Sequence, residues 1–175
     1  MLLKLLVTFS LKGDLAGTYF PLTGMGEKVR QQLVDDHFLF VSGDPNLKVA
    51  GMERDWPEGR GIFHNKEKTF LTWVNEEDQL RIISMQKGGD VKQVFDRLAR
   101  GIKAVEESVK KESGKAFMND PKYGYIHSCP TNLGTGMRAS VHIDLPGKDI
   151  YVTTCVDNLP ARLDQAGPQG AGSSV

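Results

Sequence analysis

The stretch TFLTWVNEEDQLRIISMQKGG, residues 69–89, holds two strand-like runs on either side of three consecutive acids, Glu76, Glu77 and Asp78. Residues 69–74 and 80–85 are rich in β-branched and aromatic side chains, and the spacer between them is short. Strands joined that closely pair as antiparallel neighbours. Three like charges at one hairpin tip repel one another unless water or a positive ligand relieves them. The tip is therefore either a solvated turn or a carboxylate cluster that receives a cation.

Upstream, residues 61–65 form a third strand candidate, joined to the hairpin by Asn65-Lys66-Glu67-Lys68. Downstream, Gly88-Gly89-Asp90 ends the last strand and supplies a helix N-cap. Val91, Val94, Phe95, Leu98, Ile102, Val105 and Val109 then recur at steps of three and four. That spacing predicts an amphipathic helix of about six turns serving as core scaffolding, stopped at Gly114. A shorter helix is expected over residues 27–35, with Val29, Leu33 and Val34 on one side. Residues 11–25 carry Gly and Pro punctuation and read as loop. Residues 37–61 read as mostly irregular, with turns at Asp44-Pro45 and Trp56-Pro57. Two further strands are expected at residues 125–128 and 138–145, separated by the loop CPTNLGTG. Residues 149–175 end in a Gly-, Ala-, Pro-, Gln- and Ser-rich run without periodicity and are expected to be disordered.

The bulk composition narrows the function classes. The 175 residues suffice for one domain with a real core. With 22 basic and 22 acidic residues the chain has no net charge, so no whole-molecule field draws it to nucleic acid or membrane. An anion must be bound by a local cluster. Two cysteines, Cys129 and Cys155, make no disulfide framework and suit a reducing, cytoplasmic compartment. The opening MLLKLLVTFS is too short to span a bilayer and lacks the flanks of a signal peptide. It belongs to the fold or to the ragged start of a fragment.

No G-x-x-x-x-G-K-[ST], no G-x-G-x-x-G and no metal-ligand spacing of Cys or His occurs. The glycines of CPTNLGTG could let backbone N–H groups converge as an anion nest beside Cys129, although composition alone favours a turn with a buried cysteine. A thiol-phosphatase arrangement fits poorly, because Arg138 follows Cys129 by nine positions. His127 and His142 could assist a thiolate but sit on strand candidates. Arg81, just past the acids, and Arg138, just past the glycine loop, offer forks for phosphate oxygens. Acids for a cation and arginines for phosphate together suggest a nucleotide beside a positively charged acceptor.

Four stretches, QQLVDDHFLF, RDWPEGRGIFHN, KTFLTWVNEEDQLRIISMQKGG and CPTNLGTGMRASVHIDLP, resemble the C-terminal catalytic domain of the phosphagen (ATP:guanido) kinases, the creatine and arginine kinase family. The likeness runs over residues 10–146, with the partial catalytic domain expected at 10–148 and a non-family tail at 149–175. It implies an α+β fold, an antiparallel β-sheet flanked by α-helices of the glutamine synthetase-like kind, here incomplete. It implies MgATP or MgADP and a small guanidino compound as ligands, with Mg²⁺ near the acids but no protein metal site. Glu77 is then the principal acid, orienting the guanidino nitrogen and taking its proton, with Glu76 and Asp78 beside it. Cys129 matches the family's reactive cysteine near the guanidinium. His37, Arg81, Arg138 and His142 fall on nucleotide-contacting positions, His142 near the base, and Trp73 lies near the acceptor.

Gln79 departs from the family's usual His after the acids, and the residues after Cys129 mix arginine kinase and creatine kinase patterns. The acceptor stays open among arginine, creatine, taurocyamine and glycocyamine. Relative to the family, the N-terminal helical domain and the end of the catalytic domain are expected to be missing. The alternative to an active kinase is a silent fragment that binds nucleotide weakly or pairs with a full-length homologue. A homo-oligomer is also compatible with the likeness.

Overall fold

Neither GIFHN nor FLTWV alternates apolar with polar, and the structure gives the reason: the sheet they build is covered on both faces. The computed structural model describes residues 11–144 and 151–157, with side chains through residue 141. Those residues fall into two units, divided after Phe117.

In the first unit, β1 (Gly17–Pro21), β2 (Gly61–Asn65), β3 (Phe70–Val74) and β4 (Leu80–Ser84) form an antiparallel sheet in the order β1-β2-β3-β4. Side chains alternate between faces along each strand. One face carries Tyr19, Phe63, Phe70 and Ile82, clustered with Leu11 and Leu15. The other carries Ile62 and Trp73, packed with Leu33 and Phe40, and with Trp56 from the long loop before β2. Ile62, Phe70 and Val74 are fully buried.

Helix α1 (Glu27–Asp35) supplies Leu33 to the second face. A short α2 (Pro45–Val49) follows, its N-terminus held by Asp44 Oδ1, which accepts from Asn46 N and Leu47 N at 2.7 and 3.1 Å. Helix α3 (Val91–Ser113) starts at the Asp90 cap and ends at Gly114 in the left-handed conformation, as its pattern predicts. It lies on the first face. Ser84 Oγ donates to Val94 O at 2.8 Å, and Gly101 lets the helix backbone rest on the Phe70 ring, which a Cβ would overlap.

The face α3 buries overlaps the one its apolar pattern marks but is turned away from Val91, Phe95 and Ile102. Arg97, Gly101 and Val105 are buried, whereas Val91, Phe95 (55% exposed) and Ile102 are exposed. Arg97 is tolerated inside because its guanidinium donates to Gln86 Oε1 at 2.8 Å and reaches Met85 O and Ser84 Oγ at 3.4 Å.

Two expected loops contain elements. Residues 11–25 hold β1 because Gly17 passes so close to the His64 carbonyl that any side chain would overlap it. Its Pro21 closes an edge strand, where a missing N–H is harmless. Residues 37–61 hold α2, whose Asp44-Pro45 is a helix start rather than only a turn.

In the second unit, β5 (Asn119–Asp120) pairs with β6 (Gly124–Tyr125), and β7 (Arg138–Asp144) pairs with β8 (Tyr151–Asp157), both antiparallel. The strand expected at 125–128 is thus limited to its first residue. The expectation of disorder from residue 149 is corrected over Tyr151–Asp157, whose β-branched and aromatic YVTTCVD sequence suits a strand. Residues 1–10 and 158–175 lie outside the described residues. Among the described residues no helix is long and apolar enough to cross a membrane.

Candidate active site

The β3–β4 hairpin is closed by a five-residue turn. Asn75 takes a positive φ of 54°, which asparagine tolerates better than most residues, and its N–H donates to Gln79 O at 3.0 Å. Its side-chain amide donates to Gly59 O at 2.8 Å, tying the tip to the loop before β2. That loop is stapled by the buried Arg60, which donates to the carbonyls of Met52, Asp55 and Glu58 and lies 4.8 Å from the centre of the Trp56 ring.

Held this way, the acidic tip is not a solvated turn. Asp78 is buried at 6% exposure, and Glu76 and Glu77 are half-buried. Part of the repulsion is relieved within the hairpin. Arg81 Nη2 donates to Glu77 Oε1 at 2.6 Å and lies 3.5 Å from Glu76 Oε2. Arg81 and Trp73 are register partners across β3 and β4, and the guanidinium carbon lies 5.1 Å from the centre of the Trp73 ring. The indole also packs on Phe40, 5.4 Å between ring centres, which fixes it from behind.

Two buried polar atoms here have no hydrogen-bond partner: Trp73 Nε1, a donor, and Glu76 Oε2, an acceptor. Arg81 neutralises Glu76 electrostatically but is too far away for a hydrogen bond. Such orphans are uncommon in native interiors and call for an explanation such as a missing ligand. Trp73, Glu76, Glu77 and Arg81 lie together, and Asp78 is buried on the same turn. His37 ends α1 with a positive φ of 58° and is exposed. Its neighbours Leu33 and Phe38 share the Trp73 cluster, but no hydrogen bond or ring contact among the described residues joins His37 to the tip.

The remaining candidates belong to the second unit. Cys129 is a half-exposed thiol whose Sγ lies 2.9 Å from Thr131 Oγ1, within hydrogen-bond reach. Thr131, two positions after the cysteine, is a neighbour of the thiol that sequence reasoning did not single out. Several N–H groups that an anion nest could have used are engaged within the second unit. The N–H groups of Asn132, Leu133 and Gly134 donate to Cys129 O, Pro130 O and Tyr125 O, and Met137 N–H donates to Thr135 Oγ1. The glycines serve a close chain crossing instead: Gly124 meets Gly134 backbone to backbone, and a side chain at Gly136 would strike the His127 ring. Arg138 is exposed at the start of β7. The His142 side chain lies outside the described residues.

Glu76, Glu77, the Trp73 indole and the Arg81 guanidinium thus form one side-chain cluster. The family model for the ATP:guanido phosphotransferase C-terminal catalytic domain matches residues 3–174. The chain belongs to the ATP:guanido phosphotransferases. It is 59% identical over 140 residues to an arginine kinase of Anthopleura japonica, covering 80% of this chain and 19% of that protein. Among solved structures it resembles the duplicated taurocyamine kinase of Schistosoma mansoni with bound transition state analog components, at 55% identity and a TM-score of 0.74, covering 82% of this chain and 20% of that one. It also resembles a lombricine kinase, at 52% identity and a TM-score of 0.75, covering 82% and 39%. The chain thus spans about a fifth of the length of the arginine kinase it matches.

Proposed function

We propose that the chain carries the acceptor-orienting part of a site that transfers the γ-phosphoryl group of MgATP, reversibly, to a nitrogen of a small guanidino compound such as arginine, creatine, taurocyamine or glycocyamine. The observation that carries the proposal is the Trp73–Glu76–Glu77–Arg81 niche with its unpartnered donor and acceptor. In the forward direction the guanidino nitrogen forms the new bond to phosphorus while the bond between phosphorus and the departing ADP oxygen breaks. Glu77 aligns that nitrogen and takes its proton. Glu76 fixes a second N–H of the same planar group, and Trp73 supplies its stacking floor. The transition state is loose, so alignment and charge stabilisation supply most of the rate.

Arg81, Arg138, His37 and His142 are assigned to the nucleotide, and Cys129 to the neighbourhood of the guanidinium. Mg²⁺ neutralises charge on the β- and γ-phosphoryl oxygens when bound. Among the described residues no group of three or more His, Cys, Asp or Glu could hold a metal ion. The placement remains cytoplasmic in this proposal.

The second reading is a chain that binds nucleotide, or a full-length homologue, without turning over alone. A coupled assay of ADP formation with MgATP and each guanidine in turn separates the two. Acceptor-dependent ADP formation supports the kinase. Nucleotide binding without turnover favours the second reading, and no nucleotide binding at all contradicts the kinase and leaves only association with a homologue.

A further inference from the structure

The acids at the hairpin tip already hold a guanidinium, and it belongs to the protein. Arg81 donates to Glu77 at 2.6 Å and lies over Trp73. These are the contacts a guanidino acceptor would need. Arg81 is also the fork assigned to the nucleotide phosphates, so one side chain stands between the two ligands.

The fit is incomplete in a way that matters. Arg81 is tethered to β4, and from there it reaches Glu77 but lies 3.5 Å from Glu76 Oε2, which is left buried without a hydrogen bond. An untethered guanidino group, with four or five N–H donors, can meet both carboxylates at once. Arg81 is 37% exposed and so is free to leave the niche on its solvent side. A polyphosphate offers it more acceptor oxygens, and more charge, than one carboxylate does.

We propose that Arg81 is an internal stand-in for the acceptor: it occupies the guanidinium niche at Glu76, Glu77 and Trp73 until nucleotide phosphate draws it out. The two ligands then bind with positive coupling, because each is favoured by the same displacement of one side chain. This deepens the phosphotransferase reading and rests on it. Thermodynamic linkage requires the effect to be reciprocal.

The full chain is labelled with 5-fluorotryptophan, giving one ¹⁹F resonance each for Trp56 and Trp73, assigned with Trp56→Phe. Methylguanidinium serves as the probe, since it is the bare head group and needs no knowledge of the true acceptor. MgADP alone is expected to move the Trp73 resonance and leave that of Trp56. MgADP should tighten methylguanidinium by about fivefold or more, within the usual range of such couplings, and methylguanidinium should tighten MgADP by the same factor. Arg81→Ala should bind methylguanidinium without nucleotide about as well as the wild type does with MgADP, and adding Glu77→Gln should abolish that gain. If MgADP binds by equilibrium dialysis but neither ligand changes the other's affinity in the wild-type chain, the stand-in role is overturned while the nucleotide site survives. If MgADP does not bind, both the stand-in role and the phosphotransferase reading fall. The wild-type measurement decides even if Arg81→Ala does not fold.

Discussion

Arg81 and Glu77 close an ion pair of 2.6 Å across the turn of their own hairpin, with the indole of Trp73 beneath the guanidinium. The relation explains how a folded chain holds adjacent carboxylates in half-buried positions. Repulsion that water cannot fully screen is offset by a cation four residues away. It also means that the acids and the arginine cannot be assigned to two ligands independently, because each keeps the other's partner in the free protein.

Gly101→Ala should destabilise the first unit, although alanine is the better helix former. The new methyl meets the Phe70 ring, and overpacking a filled core typically costs about 1–3 kcal/mol, more than the roughly 1 kcal/mol of helix propensity regained. Urea unfolding of the variant measures the difference. Phe70→Leu in the same chain should recover part of the loss; a Gly101→Ala chain as stable as wild type would contradict the described seat of α3.

Tyr19→Phe should be neutral or stabilising near neutral pH and should protect the fold in alkali. The Tyr19 hydroxyl is buried without a partner, and burial pushes its pKa from 10.0 up to about 12. A raised folded pKa means the wild-type fold keeps its full stability below pH 10 and loses it as pH climbs towards 12. Removing an unsatisfied buried hydroxyl contributes about 1 kcal/mol or more. Thermal melts from pH 8 to 11 should show the two proteins diverging above pH 10; parallel decline would show that the tyrosine is not responsible.

Asp14→Asn should weaken the fold at neutral pH and leave it unchanged in acid. Arg100 donates twice to Asp14, at 2.7 and 2.8 Å, linking the segment before β1 to α3. That hydrogen bonding holds the Asp14 carboxyl below its ordinary 3.8. A depressed folded pKa stabilises above the unfolded value and is lost as pH falls through the folded one. Both side chains are nearly half exposed, so the loss at pH 7 should be only about 0.5–1 kcal/mol. Urea midpoints at pH 7 and well below pH 3.8 check it; an equal deficit at both values would exclude the ion pair as the cause.

Cys129 should react with iodoacetamide at neutral pH, and Thr131→Val should slow the reaction severalfold while Thr131→Ser should not. The Thr131 hydroxyl, 2.9 Å from Sγ, can hydrogen-bond the sulfur and hold it in place for attack. Mass spectrometry of the labelled peptide gives the rates. Equal rates in all three proteins would remove Thr131 from the site.

The hairpin and α3 are legible in the sequence because each is specified locally. The β2 to β4 runs, the acidic turn, the Asp90 cap and the Gly114 stop lie within a few residues of the structure they determine. What sequence patterning hides depends on contacts distant in the chain. Residues 17–21 look like loop until Gly17 is seen against the His64 carbonyl. Arg97 looks like a surface charge until Gln86 and the end of β4 surround it. The acids, Arg81 and Trp73 are visible as a candidate site from their spacing and family likeness. Their mutual pairing is not, because a side chain's choice between an internal carboxylate and an absent ligand is written in three dimensions only.

The most direct test of the central claim replaces the corresponding segment of a complete lombricine or arginine kinase with residues 11–144 of this chain and follows ADP formation at saturating MgATP and acceptor. Glu77→Gln in that enzyme keeps size and hydrogen-bonding capacity but removes the charge. Turnover should fall by roughly 10²–10⁴, the range for losing a positioned acid–base group, while MgADP affinity does not weaken. Turnover that survives at saturation in Glu77→Gln, or a loss of nucleotide binding in its place, would contradict the assignment of the acidic tip to the guanidino acceptor.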